Sequence, residues 1–300
     1  MPSDRIAGVL LVVVSAAAFG ALGVLGRVAY DEGADPVALL TARFGIASLC
    51  FLAAVAVLRP ARRPSGRALA GLAAMGLGYL CQSLCYFSAL QHAPPGLVAL
   101  LLYSYPVLVV GLGALLLHLH VTARVAAACG VAVAGMAIVI GPSAGSGEPL
   151  GIVFGFGAAV FYAGYILLGS RVLVNVDALW ASTVIMTTTA VAYSALYLLA
   201  PRRPSFPETG EGWAAAVAIA LVCTVLAGMT FLAGLRRIGP ADASTISTVE
   251  PVVSVVLSAI VLSEAVNGWT VVGGALVLGA VVAISRSGES PGVDEGAALH

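Results

Sequence analysis

The stretch "ISTVEPVVSVVLSAIVLSE", residues 246–264, decides how the chain is read. It is apolar enough to lie in a bilayer, yet it carries a carboxylate, Glu250, immediately before Pro251. The whole chain has the same bias. Of 300 residues, 60% are hydrophobic and only 9% charged, against about 25% charged in soluble domains. So apolar a chain cannot cover itself with polar surface, which points to an integral membrane protein.

Basic residues number 14, all arginine, against 14 acids, so the formal net charge is zero. Nucleic-acid binding needs a basic face and is not expected. Cys50, Cys81, Cys85, Cys129 and Cys223 all sit in apolar runs and read as small buried hydrophobes. Cys81 and Cys85 lack further ligands for a zinc site, and His118 and His120, two apart, point to different helix faces. No Walker A lysine, Ser/His/Asp set or paired-carboxylate motif occurs in an apolar run. No metal, no cofactor and no catalytic residues are expected.

A spanning helix needs about 20 apolar residues. Ten such runs are predicted near 6–30, 36–58, 68–91, 96–118, 122–141, 150–172, 178–200, 213–235, 241–262 and 268–285. The first imitates a signal peptide, but its apolar length suits a retained spanning helix. The connections are short, and residues 288–300 are polar and Gly-rich, as in disordered tails. Placing the N-terminus in the cytoplasm puts Arg5, Arg59, Arg62, Arg63, Arg67, Arg124, Arg171, Arg236, Arg237 and Arg286 inside. Arg27, Arg202 and Arg203 then lie outside. This bias places both termini in the cytoplasm. The expected location is the cell (inner) membrane, crossed many times.

The chain resembles itself. At a spacing of 142, Phe19, Asp35 and Thr41 meet identical Phe161, Asp177 and Thr183. At a spacing of 145, Leu90, Pro95, Pro106 and Val107 meet Leu235, Pro240, Pro251 and Val252. The expected domains are residues 1–146, with spans one to five, and 147–287, with spans six to ten. Five spans is an odd number, so the second repeat starts from the opposite side. An all-α membrane protein of ten transmembrane helices, arranged as two inverted-topology five-helix repeats, is the expected fold. Many secondary transporters are built this way, with the substrate site near the midplane between the halves.

Ionisable groups inside spans are costly, about 2.5–3.5 kcal/mol at the centre by insertion scales, and mark pathways or pairs. Arg43 and Glu250 are the two that lie well inside. Arg43 is about 10 Å from the outer end of its span and Glu250 about 14 Å from the inner end of its own, at 1.5 Å per residue. Both reach one central cavity. Glu250 reads as an amine ligand or proton carrier, or as a structural partner for Arg43 or for backbone freed by Pro251. Arg43 lies nearer the interface, where it can snorkel, and reads as structural. Pro106 and Pro251 each free a carbonyl four residues back, at Leu102 and Ser247. Ser244, Thr245, Ser247 or Thr248 could satisfy the second of these or face the substrate. Tyr79, Gln82 and Tyr86 form one polar-aromatic helix stripe that should face the interior. Tyr103 and Tyr105 flank the first break. Gly151, Gly155, Gly273, Gly274 and Gly279 suit close helix packing or a homodimer face.

Helix two reads "PVALLTARFGIASLCFLAAVAV", with an arginine before an aromatic. The end reads "ASTISTVEPVVSVVLSAIVLSEAVNGWTVVGGALVLGAVVAIS", with Glu-Pro, Ser-Glu and a Gly-rich last helix. In these features the chain resembles the EamA-type branch of the drug/metabolite transporter superfamily, over essentially its whole length. The resemblance implies a ten-helix carrier, in many members an exporter of amino acids or other small metabolites. The first half departs from the second. Tyr105-Pro106 stands opposite Glu250-Pro251, Leu119 opposite Glu264, and Arg43 opposite Ile185. The candidate transport residues are Glu250, Tyr105, Arg43, Tyr79, Gln82, Tyr103 and Ser247, with helix breaks at Pro106 and Pro251. The expected function is alternating-access transport of a small-molecule substrate. The competing class is a polytopic protein that does not transport, a channel or an intramembrane enzyme. One arginine and one glutamate on non-equivalent helices do not make the symmetric lining a channel pore wants.

Overall fold

The computed structural model describes residues 2–60, 63–117, 121–143, 149–173 and 176–286. His118, His120, Arg62, Leu119 and the tail 288–300 lie outside the described residues. In order, the helices are α1 (Pro2–Gly20), α2 (Leu22–Asp31), α3 (Pro36–Leu58), α4 (Gly66–His92), α5 (Pro95–Leu102), α6 (Tyr105–Leu117) and α7 (Ala123–Ser143). Then come α8 (Pro149–Val172), α9 (Ala178–Leu199), α10 (Gly210–Ala220), a π-helical segment (Leu221–Leu226), α11 (Ala227–Ile238), α12 (Pro240–Ser247), α13 (Val249–Val261) and α14 (Gly268–Arg286). Among the described residues, nine helical stretches are long and apolar enough to cross a membrane, and Thr245–Val261 is a shorter tenth.

Local chemistry starts these helices where the sequence says it should. Ser65, Asp177 and Thr209 each accept a backbone N–H in the first turn of α4, α9 and α10. Pro36, Pro95 and Pro240 open α3, α5 and α12, where a missing N–H costs nothing. Gly239, at φ 80°, makes the sharp corner between α11 and α12. Four of the runs predicted as single spans are interrupted. Ala21 parts α1 from α2, Tyr103 and Ser104 part α5 from α6, and Thr248 parts α12 from α13. The eighth run holds the π segment.

Large apolar side chains such as Leu49, Val57, Val133, Val153, Val191, Leu198, Ile260 and Val271 are exposed on the outside of the bundle. In water so broad an apolar exterior would aggregate; in lipid it is the solvated face. The interior joins large apolar side chains such as Leu39, Phe44, Leu72 and Phe87 to small and polar residues where helices meet closely. In α4 against α8, Gly157 meets Cys85 and Gly151 meets His92 and Ala93, an antiparallel register. In α1 against α11, Gly8 meets Arg237 and Ile238, Gly234 meets Val12, and the Ser15 hydroxyl donates to the Ala227 carbonyl. In α3 against α9, Ser48 and Thr187 share a hydrogen bond of 2.9 Å and the Thr41 hydroxyl lies 3.3 Å from the Tyr193 carbonyl. In α7 against α14, Gly135 and Gly273 meet backbone to backbone.

The glycines thus serve contacts inside this one chain: Gly155 seats Leu101 and Gly274 seats Leu100, while Gly279 faces open space. Of the five cysteines, Cys223 alone is fully buried. The others are half-buried, because their helices turn one edge to lipid.

Candidate functional site

A cavity of about 340 Å³ lies among α1, α2, α3, α4, α8, α9, α11, α14 and the two spans broken beside a proline. Every candidate transport residue lines it: Arg43, Tyr79, Gln82, Tyr103, Tyr105, Ser247 and Glu250. The two prolines do not line it. They stand behind it, Pro106 as the second residue of α6 and Pro251 as the third of α13.

The polar end is built around Arg43. Its side chain is only 2% exposed, so it does not snorkel to an interface as its depth suggested. The reason is the set of partners inside. Nε donates to Thr224 Oγ1 at 2.9 Å, and Nη2 donates to the Tyr79 hydroxyl at 3.3 Å. The guanidinium carbon lies 4.9 Å from the Phe44 ring centre and 5.5 Å from that of Phe87, within range of cation–π attraction. Among the described residues no carboxylate lies within 4.0 Å of it. Glu250 lines the same cavity but is not its ion partner. Buried charges are normally paired, so this cation keeps capacity for an anionic group.

Glu250 sits in the first turn of α13. Its partner comes from the other broken span: the Tyr103 hydroxyl lies 2.9 Å from Oε2. The same hydroxyl lies 2.7 Å from the Ser247 carbonyl. That carbonyl is the one Pro251 cannot bond, so a phenol from the break between α5 and α6 caps it rather than a nearby Ser or Thr. Ser247 Oγ donates instead to the Ala243 carbonyl, and Thr248 Oγ1 to that of Thr245. One phenolic hydrogen faces two acceptors. Both contacts are satisfied at once when the carboxyl carries a proton and donates it to the phenol oxygen, leaving the phenol hydrogen for Ser247.

The repeat aligns Glu250 with Tyr105, but in space Tyr105 plays a different part. It packs edge-on against Tyr103 at 6.0 Å and Tyr162 at 4.7 Å. Tyr162 stacks on Tyr165 at 5.9 Å, and Tyr165 reaches Tyr79 at 5.7 Å. A continuous run of tyrosine rings therefore joins the carboxyl to the guanidinium, with Tyr103, Tyr105, Tyr162 and Tyr79 lining the cavity and Tyr165 bridging behind them. The other side is apolar: Phe19, Leu22, Phe231, Leu232 and Val281. Gly228 also lines it, and a Cβ there would meet nothing within 4 Å.

Sequence reasoning found the stripe of Tyr79, Gln82 and Tyr86, and the cavity adds Ser83 and Phe87 from the same helix. It missed Thr224 and Gly228. The signal was available in the spacing. Ser83 and Gly228, Tyr86 and Phe231, Phe87 and Leu232, Leu102 and Ser247, and Tyr105 and Glu250 all line the cavity, each pair 145 residues apart. Carrying that spacing to the end of the stripe pairs Tyr79 with Thr224, the two hydroxyls that hold Arg43.

The bundle of apolar spans and its enclosed polar cavity define a polytopic membrane protein of transporter type. The EamA-like transporter family matches residues 6–141 and again residues 149–286, so the chain belongs to that family. It is similar to an uncharacterized transporter, YcbK, of Bacillus subtilis (strain 168), with 26% identity over 284 residues, 90% of each chain. A protein of known crystal structure shares the fold, with a TM-score of 0.67 at 22% identity over 95% of this chain and 98% of that one.

Proposed function

We propose that this member of the family is a secondary transporter that exports small metabolites such as amino acids, by alternating access around the cavity between its halves. One observation carries the reading: a buried guanidinium, without an acid partner among the described residues, and a half-buried carboxyl line one cavity rich in tyrosine. A dipolar solute fits both, its carboxylate at Arg43 and its ammonium at Glu250. Amino acids have that chemistry, and the apolar wall offers room for a side chain. Supporting the rocking of two inverted repeats, α1 with α2 packs on α10 with α11 as α4 packs on α8. Likewise α3 pairs with α9, and α7 with α14. These are the contacts that exchanging two five-span halves leaves unchanged. The arginine distribution supports cytoplasmic termini and an inner-membrane location.

The test is counterflow in proteoliposomes. Purified protein should give saturable uptake of labelled amino acid, stimulated by unlabelled solute inside, and Glu250→Gln should change both the rate and its pH dependence. Ohmic conductance without counterflow would sink the carrier reading. Unchanged rate and pH profile in Glu250→Gln would remove Glu250 from the mechanism.

A further inference from the structure

We infer that Thr224, on the π turn of the eighth span, is a positioning residue that aims Arg43 at the anionic end of the solute; this rests on reading the cavity as the substrate site. Thr224 does not line the cavity, and its side chain is 3% exposed. Its hydroxyl hydrogen goes to the Ile219 carbonyl, five residues back, at 2.9 Å. Thr41, Thr183 and Thr189 bond the carbonyl four residues back, the usual helix habit. The difference is the widened turn at Leu221–Leu226, which holds an extra residue and rotates the helix beyond it. With its hydrogen committed to Ile219, the oxygen presents only lone pairs to Arg43 Nε.

The guanidinium is thereby fixed at two corners. Thr224 holds Nε and Tyr79 holds Nη2, while Phe44 and Phe87 lie against its carbon. The hydrogens left over on Nη1 and Nη2 form the edge of the fork that suits a carboxylate. The turn itself is braced, because Ser15 from α1 donates to the Ala227 carbonyl at its end at 2.8 Å. Tyr79 and Thr224 stand 145 residues apart, so each half supplies one of the two holders of a single cation. A bond from the charged Nε to a neutral hydroxyl is of the stronger, charge-assisted kind.

The experiment uses the full chain with three probes: phenylalanine, phenylalaninamide, which lacks the carboxylate, and benzoate. Thr224→Val keeps the side-chain shape and removes the hydroxyl; Thr224→Ser restores it. The valine variant should raise the half-saturation constant for phenylalanine about tenfold, with a smaller change in maximal rate and no matching change for phenylalaninamide. Benzoate should raise the unfolding temperature of the wild type and of Thr224→Ser but not of Thr224→Val. Thr224→Ala gives the same readouts should the valine variant not fold. Equal loss of both amine probes, a valine variant like the wild type, or a serine variant without rescue overturns the assignment. So does a wild type that benzoate does not stabilise. A wild type that carries neither amine yet shows the hydroxyl-dependent benzoate response overturns the carrier reading and keeps the assignment.

Discussion

Replacing Tyr103 by phenylalanine removes one oxygen and leaves the ring, so no cavity forms and no packing is lost. Two groups lose their partner: the Ser247 carbonyl, 2.7 Å away, and the Glu250 carboxyl, whose Oε2 lies 2.9 Å away. The carbonyl has no helix donor to fall back on, since Pro251 occupies the position that would supply one. A buried acceptor left unsatisfied costs about 1–3 kcal/mol. The carbonyl alone sets a loss of at least about 1 kcal/mol, and the carboxyl raises it toward about 3 kcal/mol. Tyr105→Phe is the control, because the Tyr105 hydroxyl has no hydrogen-bond partner among the described residues and its ring contacts survive. Equilibrium unfolding in mixed micelles should separate the two variants by that amount, with Ser247→Ala close to wild type because the carbonyl, not Oγ, is the group used. Tyr103→Phe within about 0.5 kcal/mol of Tyr105→Phe would refute the reasoning, for surface-like substitutions scatter by that much.

Other outcomes rest on the same geometry. Arg43→Met removes a buried charge that lacks an acid partner, so unfolding free energy should hold or rise while amino-acid counterflow is lost; a destabilised protein would argue that Arg43 is structural. Gly273→Ala drives a Cβ to 2.5 Å from the Gly135 carbonyl and should cost about 1–3 kcal/mol, whereas Gly279→Ala meets nothing and should be neutral or stabilising, both read by unfolding. Gly228→Leu fills open space in the apolar wall and should weaken uptake of large apolar amino acids more than small ones, measured as a ratio of half-saturation constants. The exposed pairs Arg5–Asp242 and Asp4–Arg237, at 3.1 and 3.3 Å, should each contribute under about 1 kcal/mol, and that only at low salt.

Much of the architecture was legible because its causes are local. Apolar length gives spans, and Pro106 and Pro251 announce two breaks through a missing N–H that no tertiary contact can restore. The stripe of Tyr79, Gln82 and Tyr86 comes from helical period alone. What escaped has its cause in space. The break at Ala21 adjoins Gly20, where a Cβ would come within 2.7 Å of the Glu250 carbonyl; nothing within α1 or α2 records that neighbour. Arg43 read as an interfacial arginine because depth along one helix ignores the hydroxyls that two other helices bring to it. The capping of Ser247 by Tyr103 needs the two breaks to face each other, and the serines and threonines near Pro251 in the sequence cannot show that.

The constant spacing across the cavity has a consequence for how such a wall can be rewritten. Ser83 answers Gly228, Tyr86 answers Phe231 and Tyr105 answers Glu250, so several lining positions have a lining counterpart 145 residues away. Side chains can be transplanted between counterparts without redesigning the backbone. Moving the acid from 250 to 105 and the phenol from 105 to 250 shifts the negative end of the chamber from one half to the other while Arg43 stays in place and the composition is untouched.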